Sequence, residues 1–303
     1  MPVTSSAADP SQNRLTRALG GRHVLAIGLG CMPMSAHGRP EESQSIRTVH
    51  AALDAGVRLF DTADAYARDE SEVGHNERLL GRALRGRSED DVIVATKGGH
   101  IRRGEEWDLD GHPAHLRAAC EASLRALGRE AIDLYQYHRP DPKVPFAESV
   151  GVFKELKDEG KILHVGLSNV TVAQLEEADR IVEIAAVQNE LSLTYGAPLA
   201  NGEADACAAR GIPLLAWSPL GGMTAASLAG ELEPVRQAAE RHGASPQQVV
   251  LAWLLASSPA VLPIPGSRRP ETILDSVAAT GLELDADEIE AIDALADRRP
   301  QQR

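Results

Sequence analysis

Three short segments of this chain end an apolar run on residues able to do acid–base chemistry. Phe60 leads into Asp61-Thr62-Ala63-Asp64-Ala65-Tyr66, Val94-Ala95-Thr96 into Lys97-Gly98, and Tyr135-Gln136-Tyr137 into His138-Arg139-Pro140. Asp61, Tyr66, Lys97 and His138 make a set with a physical logic. A phenol with an ordinary pKa of roughly 10 is a weak acid at neutral pH. A cation beside it favours the phenolate and lowers that pKa, and Lys97 is placed to be the cation. Asp61 can hold the ammonium, which would otherwise be buried unpaired. His138 can donate a hydrogen bond to a carbonyl oxygen lying against the tyrosine hydroxyl. The group suits proton donation to an oxygen that gains negative charge. Each residue alone would fit a plainer role: a cap, a rim ion pair or a satisfied histidine. Their delivery by consecutive apolar runs is what favours catalysis.

For these side chains to meet, the three segments must be neighbouring strands with their C-terminal ends on one rim. The sequence supplies such a frame. Eight short apolar runs, Leu25–Leu29, Val57–Phe60, Val92–Ala95, Ile132–Tyr137, Ile162–Leu167, Ala185–Gln188, Pro213–Trp217 and Val261–Ile264, alternate with amphipathic stretches. The latter cover about Ser43–Ala55, Asn76–Leu84, Pro113–Leu127, Pro145–Asp158, Val172–Ala178, Pro198–Ala209 and Pro234–His242. Strands alternating with helices imply βαβ units and a parallel sheet, and eight units imply a closed (β/α)8 barrel. Active-site residues of such barrels lie at the C-terminal ends of the strands.

Additions flank this frame. Leu15–Leu19 and His23–Ile27, joined by Gly20-Gly21, read as an N-terminal β-hairpin. Ser245-Pro246-Gln247-Gln248 opens a helix over Val249–Ala256 with a serine N-cap, a proline at the first helical position and Gln at the capping-box position. Two more helices are expected, from Arg269-Pro270-Glu271 to about Thr280 and from about Asp285 to Ala296. Residues 1–12 read as a flexible tail. No Gly/Ser-rich or Pro-rich linker divides 13–303, which reads as one domain. The insert Gly99–Pro113, with Arg102, Arg103 and Trp107, and the segment Leu193–Gly202, with Tyr195, are expected to overhang the pocket as loops. Trp253, inside an amphipathic helix, reads as a core or interface residue.

The chain has 303 residues, 31 Lys+Arg against 44 Asp+Glu, and a formal net charge of −13. Such an acidic chain has a poor field for capturing phosphate backbones or anionic lipid, which argues against nucleic-acid and membrane partners. No run approaches the roughly 18 apolar residues of a membrane span, and MPVTSSAADPSQNR lacks the pattern of a secretory signal. Cys31, Cys120 and Cys207 are an odd count without C-x-x-C spacing. That speaks against a disulfide framework or a metal site and for a reducing, cytoplasmic location.

With these residues in view, the sequence resembles the aldo-keto reductase family. Asp61-Thr62-Ala63 with Tyr66, and Asn76-Glu77-Arg78-Leu79-Leu80-Gly81-Arg82-Ala83-Leu84, are similar to the family's second-strand segment. Thr96-Lys97-Gly98, Asp133-Leu134-Tyr135-Gln136-Tyr137-His138 and Gly160-Lys161-Ile162 with Gly166-Leu167-Ser168-Asn169 are similar to the next three. The resemblance runs from about Leu25 to about Ala279, with its motifs in order. It implies a (β/α)8 barrel, reduction of an aldehyde or ketone, and NADP(H) bound without a Rossmann fold. Asp61, Tyr66, Lys97 and His138 match the family's catalytic tetrad. Relatives with Glu in place of His138 reduce activated carbon–carbon double bonds, so the histidine implies carbonyl reduction.

The resemblance also implies the cofactor contacts. Gly28-Leu29-Gly30 is only a fragment of the Rossmann fingerprint. Implied instead are Cys31, Met32 and Asp61, then Ser168, Asn169 and Gln188, whose polar groups suit the carboxamide of nicotinamide. Trp217 would stack on the nicotinamide ring, with Ser218, Pro219, Leu220, Gly221 and Gly222 after it. Gly266, Ser267 and Arg268 are similar to the segment that holds the adenosine 2′-phosphate, and Asp275 and Ser276 would face the adenine. Thr272 departs from the pattern, because many relatives carry Arg there; Arg268 or Arg269 could replace it. Two other readings remain open: a cofactor-binding regulatory subunit without enzymatic activity, and a Schiff-base aldolase using Lys97. The identity of the carbonyl substrate and the oligomeric state are not fixed by the sequence.

Overall fold

The computed structural model describes residues 14–87, 91–222 and 228–296, so the tail expected over 1–12 lies outside the described residues. The chain opens with the expected hairpin, β1 (Thr16–Leu19) against β2 (Arg22–Leu25), antiparallel with Leu19 opposite Arg22. Gly20 and Gly21 form the two-residue turn, both at positive φ (56° and 74°). Turns of that length need this region to match strand twist. The hairpin's inner residues, Leu19 and Val24, pack with Leu59, Ile93, Ala95, Leu134, Ala186, Leu215, Leu262 and Ile264 in the barrel interior.

The barrel alternates strand and helix. Its first half runs β3 (Leu29–Gly30), α1 (Glu42–Asp54), β4 (Leu59–Asp61), α2 (His75–Leu84) and β5 (Ile93–Gly98). A second hairpin follows, β6 (His100–Arg103) with β7 (Glu106–Leu109), and then α3 (Pro113–Leu127), β8 (Ile132–Tyr137) and α4 (Phe146–Asp158). The second half is β9 (Ile162–Ser168), α5 (Val172–Asp179), β10 (Ile184–Glu190), α6 (Ala197–Ala200), α7 (Glu203–Arg210) and β11 (Leu214–Trp217). The described chain ends with α8 (Glu233–His242), α9 (Pro246–Ser257), β12 (Val261–Pro263), α10 (Pro270–Ala278) and α11 (Ala286–Asp293). The eight barrel strands form one sheet in the order β12-β11-β10-β9-β8-β5-β4-β3, and every adjacent pair is parallel. Gly30 bridges Gly266, and the amides of Gly28 and Gly30 donate to the carbonyls of Pro263 (3.0 Å) and Pro265 (3.1 Å), which joins the two edges. A Cβ on Gly30 would stand 2.8 Å from the Ile264 carbonyl oxygen, so this seam needs glycine.

Four boundaries differ from expectation for physical reasons. The run Leu25–Leu29 is not one strand: Leu25 ends the hairpin, the chain bends, and the barrel strand starts at Leu29. Continuous hydrophobicity marks burial but does not say which neighbour the backbone pairs with. The helix expected over Pro198–Ala209 is two, α6 and α7, broken at Gly202 (φ 90°). The insert Gly99–Pro113 is largely the β6–β7 hairpin rather than an irregular loop. Ser245 caps α9 by accepting from the Gln248 amide (3.1 Å), but the Gln248 side chain donates to Asp275 (2.6 Å) instead of closing a capping box. Reciprocal boxes form at α5, between Thr171 and Gln174, and at α11, between Asp285 and Glu288. Trp253 is fully buried in α9 and donates to Asp293 of α11 (2.8 Å), a core role.

Candidate active site

Strand register assembles the site. Asp61 is the last residue of β4, Lys97 lies near the end of β5 opposite Gln136 of β8, and His138 follows β8 directly. Side chains alternate across a strand. Thr96 points to the helix layer, where its hydroxyl donates to Glu77 of α2 (2.6 Å), and Lys97 therefore points to the interior. The turn that carries Tyr66 is fixed through Asp64, which accepts from the Ala65 amide (2.6 Å) and, at its carbonyl, from the Gly74 amide (2.7 Å).

Lys97 is completely buried, and its three protons are all placed. Nζ donates to Asp61 Oδ1 (2.6 Å), to the Thr62 carbonyl (2.8 Å) and to Tyr66 Oη (3.0 Å). The other Asp61 oxygen accepts from Gln188 Nε2 (2.7 Å) and Gln136 Nε2 (3.3 Å). A buried ion pair is a weak source of stability because both partners lose hydration. Its completeness here serves to fix one polar atom, the tyrosine oxygen. The His138 ring lies edge-on to Tyr66, with centroids 5.7 Å apart. The four residues expected to act together do stand together.

The electrostatics correct one expectation. The Tyr66 phenol is not lowered: burial pushes its pKa above the ordinary value, Lys97 pulls it down, and Asp61 pushes it up again, leaving it raised. Burial outweighs the neighbouring cation. Burial acts to lower the Lys97 pKa, but Asp61 and Tyr66 outweigh it, so the ammonium is retained. His138 is held well below the usual histidine range by burial and by His100, Lys97 and Arg139, and is neutral near pH 7.

The residues expected to hold a cofactor fall into three groups. At the mouth, Asn169 and Ser218 adopt left-handed backbone conformations (φ 60° and 50°), a strain that recurs at ligand-binding positions. Asn169 Nδ2 donates to the His138 carbonyl (2.9 Å) and to Ser168 Oγ (3.1 Å), while Asn169 Oδ1 is buried without a partner. Trp217 Nε1 and Ser267 Oγ are likewise buried and unpartnered. Buried polar atoms are nearly always satisfied, so these orphans at the ends of β9, β11 and β12 fit a polar ligand such as a dinucleotide. After Ser218, the Gly221 amide returns to the Ser218 carbonyl (2.8 Å), so Pro219, Leu220, Gly221 and Gly222 begin a tight turn. Gly266 approaches Pro33 so closely that a Cβ would lie 2.7 Å from its ring.

A second group is engaged in the protein's own hydrogen bonds or lies at the rim. The Cys31 side chain is buried, its amide donates to the Asp61 carbonyl (2.8 Å) and its carbonyl accepts from Asn76 (2.8 Å), whereas Met32 beside it is 39% exposed at the rim. The Gln188 amide serves Asp61. The third group lies towards the helix layer. Arg268 donates to the carbonyls of Pro33 (3.3 Å) and His37 (3.1 Å). Asp275 accepts from Ser245 (2.7 Å) and Gln248 (2.6 Å), and the Ser276 hydroxyl is buried against the Thr272 carbonyl (3.0 Å). Both therefore have partners in the helix layer.

Two residues were not singled out from the sequence. Gln136 shares a strand face with His138, two residues on, and that alternation was a usable signal. His100 packs on His138, which depends on the unforeseen hairpin. Cys31, Cys120 and Cys207 are all buried free thiols. No helix among the described residues is long and apolar enough to cross a membrane.

The model of the aldo/keto reductase family matches residues 26–297. The chain belongs to the aldo/keto reductase family. It is 34% identical over 296 residues to an oxidoreductase of Schizosaccharomyces pombe, covering 96% of this chain and 92% of the relative. An aldo/keto reductase of Klebsiella pneumoniae, solved with NADP and acetate, is 27% identical and superimposes with a TM-score of 0.80 over 96% of this chain and 97% of that one. A glycerol dehydrogenase of Gluconobacter oxydans is 27% identical, with a TM-score of 0.79 over 92% and 94% of the two chains. The barrel fold is thus that of an aldo/keto reductase, and the chain is an oxidoreductase of that family.

Proposed function

We propose that this aldo/keto reductase reduces an aldehyde or ketone to an alcohol at the Tyr66 oxygen, with NADPH supplying the hydride when bound. The observation that carries the reading is the buried Lys97 ammonium bonded at once to Asp61 and Tyr66. A raised phenol pKa keeps Tyr66 protonated at neutral pH, as a proton donor must be. When the carbonyl oxygen gains charge, the proton leaves Tyr66 Oη, and Lys97 stabilises the phenolate left behind. Neutral His138 offers an N–H to the same oxygen without competing as a strong acid. Asn169, Trp217 and Ser267 each have a buried polar atom free to hold NADPH, and Arg268 is the candidate for the 2′-phosphate.

The same geometry disfavours an aldolase. A Schiff base needs a neutral amine free to attack, and Lys97 is charged, enclosed and fully hydrogen-bonded. A purely regulatory role gives no reason for a proton donor beside an unpartnered, neutral histidine. The test is Tyr66→Phe, followed by NADPH absorbance with para-nitrobenzaldehyde. Cofactor should still bind, and kcat should fall by about 10²–10⁴-fold, the usual worth of general acid catalysis. Near-native kcat with only a raised KM would make Tyr66 a pocket wall and would overturn the assignment.

A further inference from the structure

His138 lacks the support that an active-site histidine usually has. Such a ring is ordinarily oriented by a hydrogen bond at its second nitrogen, yet His138 Nδ1 is buried and has no hydrogen-bond partner. Rings surround it instead. The His100 ring lies edge-on to His138 with centroids 4.3 Å apart and planes at 80°. Trp107 stands edge-on to His100 (5.4 Å) and to His138 (6.5 Å).

The hairpin that carries these rings is itself fixed. His100 begins β6 and pairs with Leu109 of β7, and Arg102 pairs with Trp107. The buried Arg102 guanidinium lies 4.3 Å from the Trp107 ring centre. Arg102 also donates to the carbonyl of Arg68 (2.5 Å), two residues beyond Tyr66. At the hairpin tip the Gly104 amide donates to Glu70 Oε2 (3.0 Å), and the Glu70 amide to the Gly104 carbonyl (3.0 Å). One hairpin thus ties the loop that presents Tyr66 to the ring of His138.

We propose that His100 is a positioning residue for carbonyl reduction, fixing the plane of the His138 ring through the edge-on contact between them. The inference rests on the reading of His138 as the hydrogen-bond donor to the substrate oxygen. The titratable and charged groups facing His138 are His100 from the hairpin, Lys97 from β5, Tyr66 from the loop after β4 and Arg139 from its own segment. None is an anion that would stabilise an imidazolium. The His100 ring packed on His138 occupies space from which water could otherwise stabilise it. The flat ring of His100 fits that position because it packs edge-on to Trp107 on one side and to His138 on the other.

The test uses the whole chain and two readouts. Imidazole NMR, with the His138 signals assigned from a His138→Gln variant, gives the His138 titration without any ligand. In the wild type His138 should stay neutral well below the ordinary histidine midpoint of about 6.5. In His100→Ala that midpoint should move up towards the ordinary value. With NADPH and para-nitrobenzaldehyde, His100→Ala should lose roughly 10- to 100-fold in kcat, the scale of a misplaced catalytic group, with NADPH affinity unchanged. His100→Phe keeps the perpendicular ring and should restore most of both. Should the alanine variant not fold, His100→Gln, which keeps a polar side chain of similar length but no ring, carries the same expectation. An unchanged His138 titration, or a kcat equal to the wild type's, overturns the inference. A wild type inert towards aldehydes overturns the functional reading instead, and the titration then still decides whether His100 governs the His138 ring.

Discussion

The molecule carries two hairpins of nearly the same size, one at each end of the barrel, and they have opposite tasks. The β1–β2 hairpin puts Leu19 and Val24 into the dry interior beside Leu59, Ile93 and Leu262. The β6–β7 hairpin puts His100 and Trp107 against His138 and ties itself to the Tyr66 loop through Arg102, Gly104 and Glu70. One closes the barrel with hydrocarbon; the other lines it with rings and buried polar atoms. The same two-strand motif thus serves stability at one end and chemistry at the other, and the side chains it turns inward decide which.

Variants at the two ends should separate along that line. The largest effect belongs to Lys97→Met, which should abolish most turnover and also destabilise the fold by about 3–5 kcal/mol, because buried Asp61 is left unpaired. Urea unfolding of Lys97→Met beside the Asp61→Asn, Lys97→Met double variant checks this: the double variant should recover stability but not activity. Leu19→Ala at the opposite end should cost about 2–5 kcal/mol of stability, the range for emptying a packed site, with kcat per folded molecule unchanged. A loss of kcat there would break the division of labour.

Arg268→Ala should weaken NADPH binding about tenfold, or about 1.4 kcal/mol, with little change for NADH, read by quenching of Trp fluorescence. Equal losses for both cofactors would remove the 2′-phosphate from Arg268. The smallest effect is a pH dependence. His100 is held at about 4, mainly by burial. As pH falls below the unfolded value of about 6.5, the unfolded chain takes up a proton that native His100 refuses, so native stability falls. Between pH 7.5 and 5.5, His100→Phe should therefore lose roughly 1 kcal/mol less stability than the wild type.

Sequence carried the fold well because hydrophobic period and strand-end polarity are local signals. Asp61, Lys97 and His138 are legible as three polar ends of three neighbouring apolar runs, and Tyr66 follows from the loop between. What was lost is non-local. That Leu25 pairs within a hairpin while Leu29 pairs within the barrel depends on chain partners, not on composition. The break at Gly202 resembles any tolerated helix glycine until its φ is known. The direction of the Tyr66 pKa turns on burial, which no spacing reveals, and His100 meets His138 only because residues 100–109 fold back on themselves.

The seam at Gly30 and Gly266 joins the first and last strands of the ring, the most distant pairing in the barrel. Contacts of such sequence separation form late in folding because the chain entropy of closing so long a loop comes first. The cofactor candidates Ser267 and Arg268 sit beside that seam, so the binding site becomes complete only with the last stitch of the ring. A ligand seated across it would act as a clasp, adding its binding energy to the closed state alone. Amide hydrogen exchange at Gly28 and Gly30 should therefore be the fastest among the barrel strands without NADPH and slow the most when it is added.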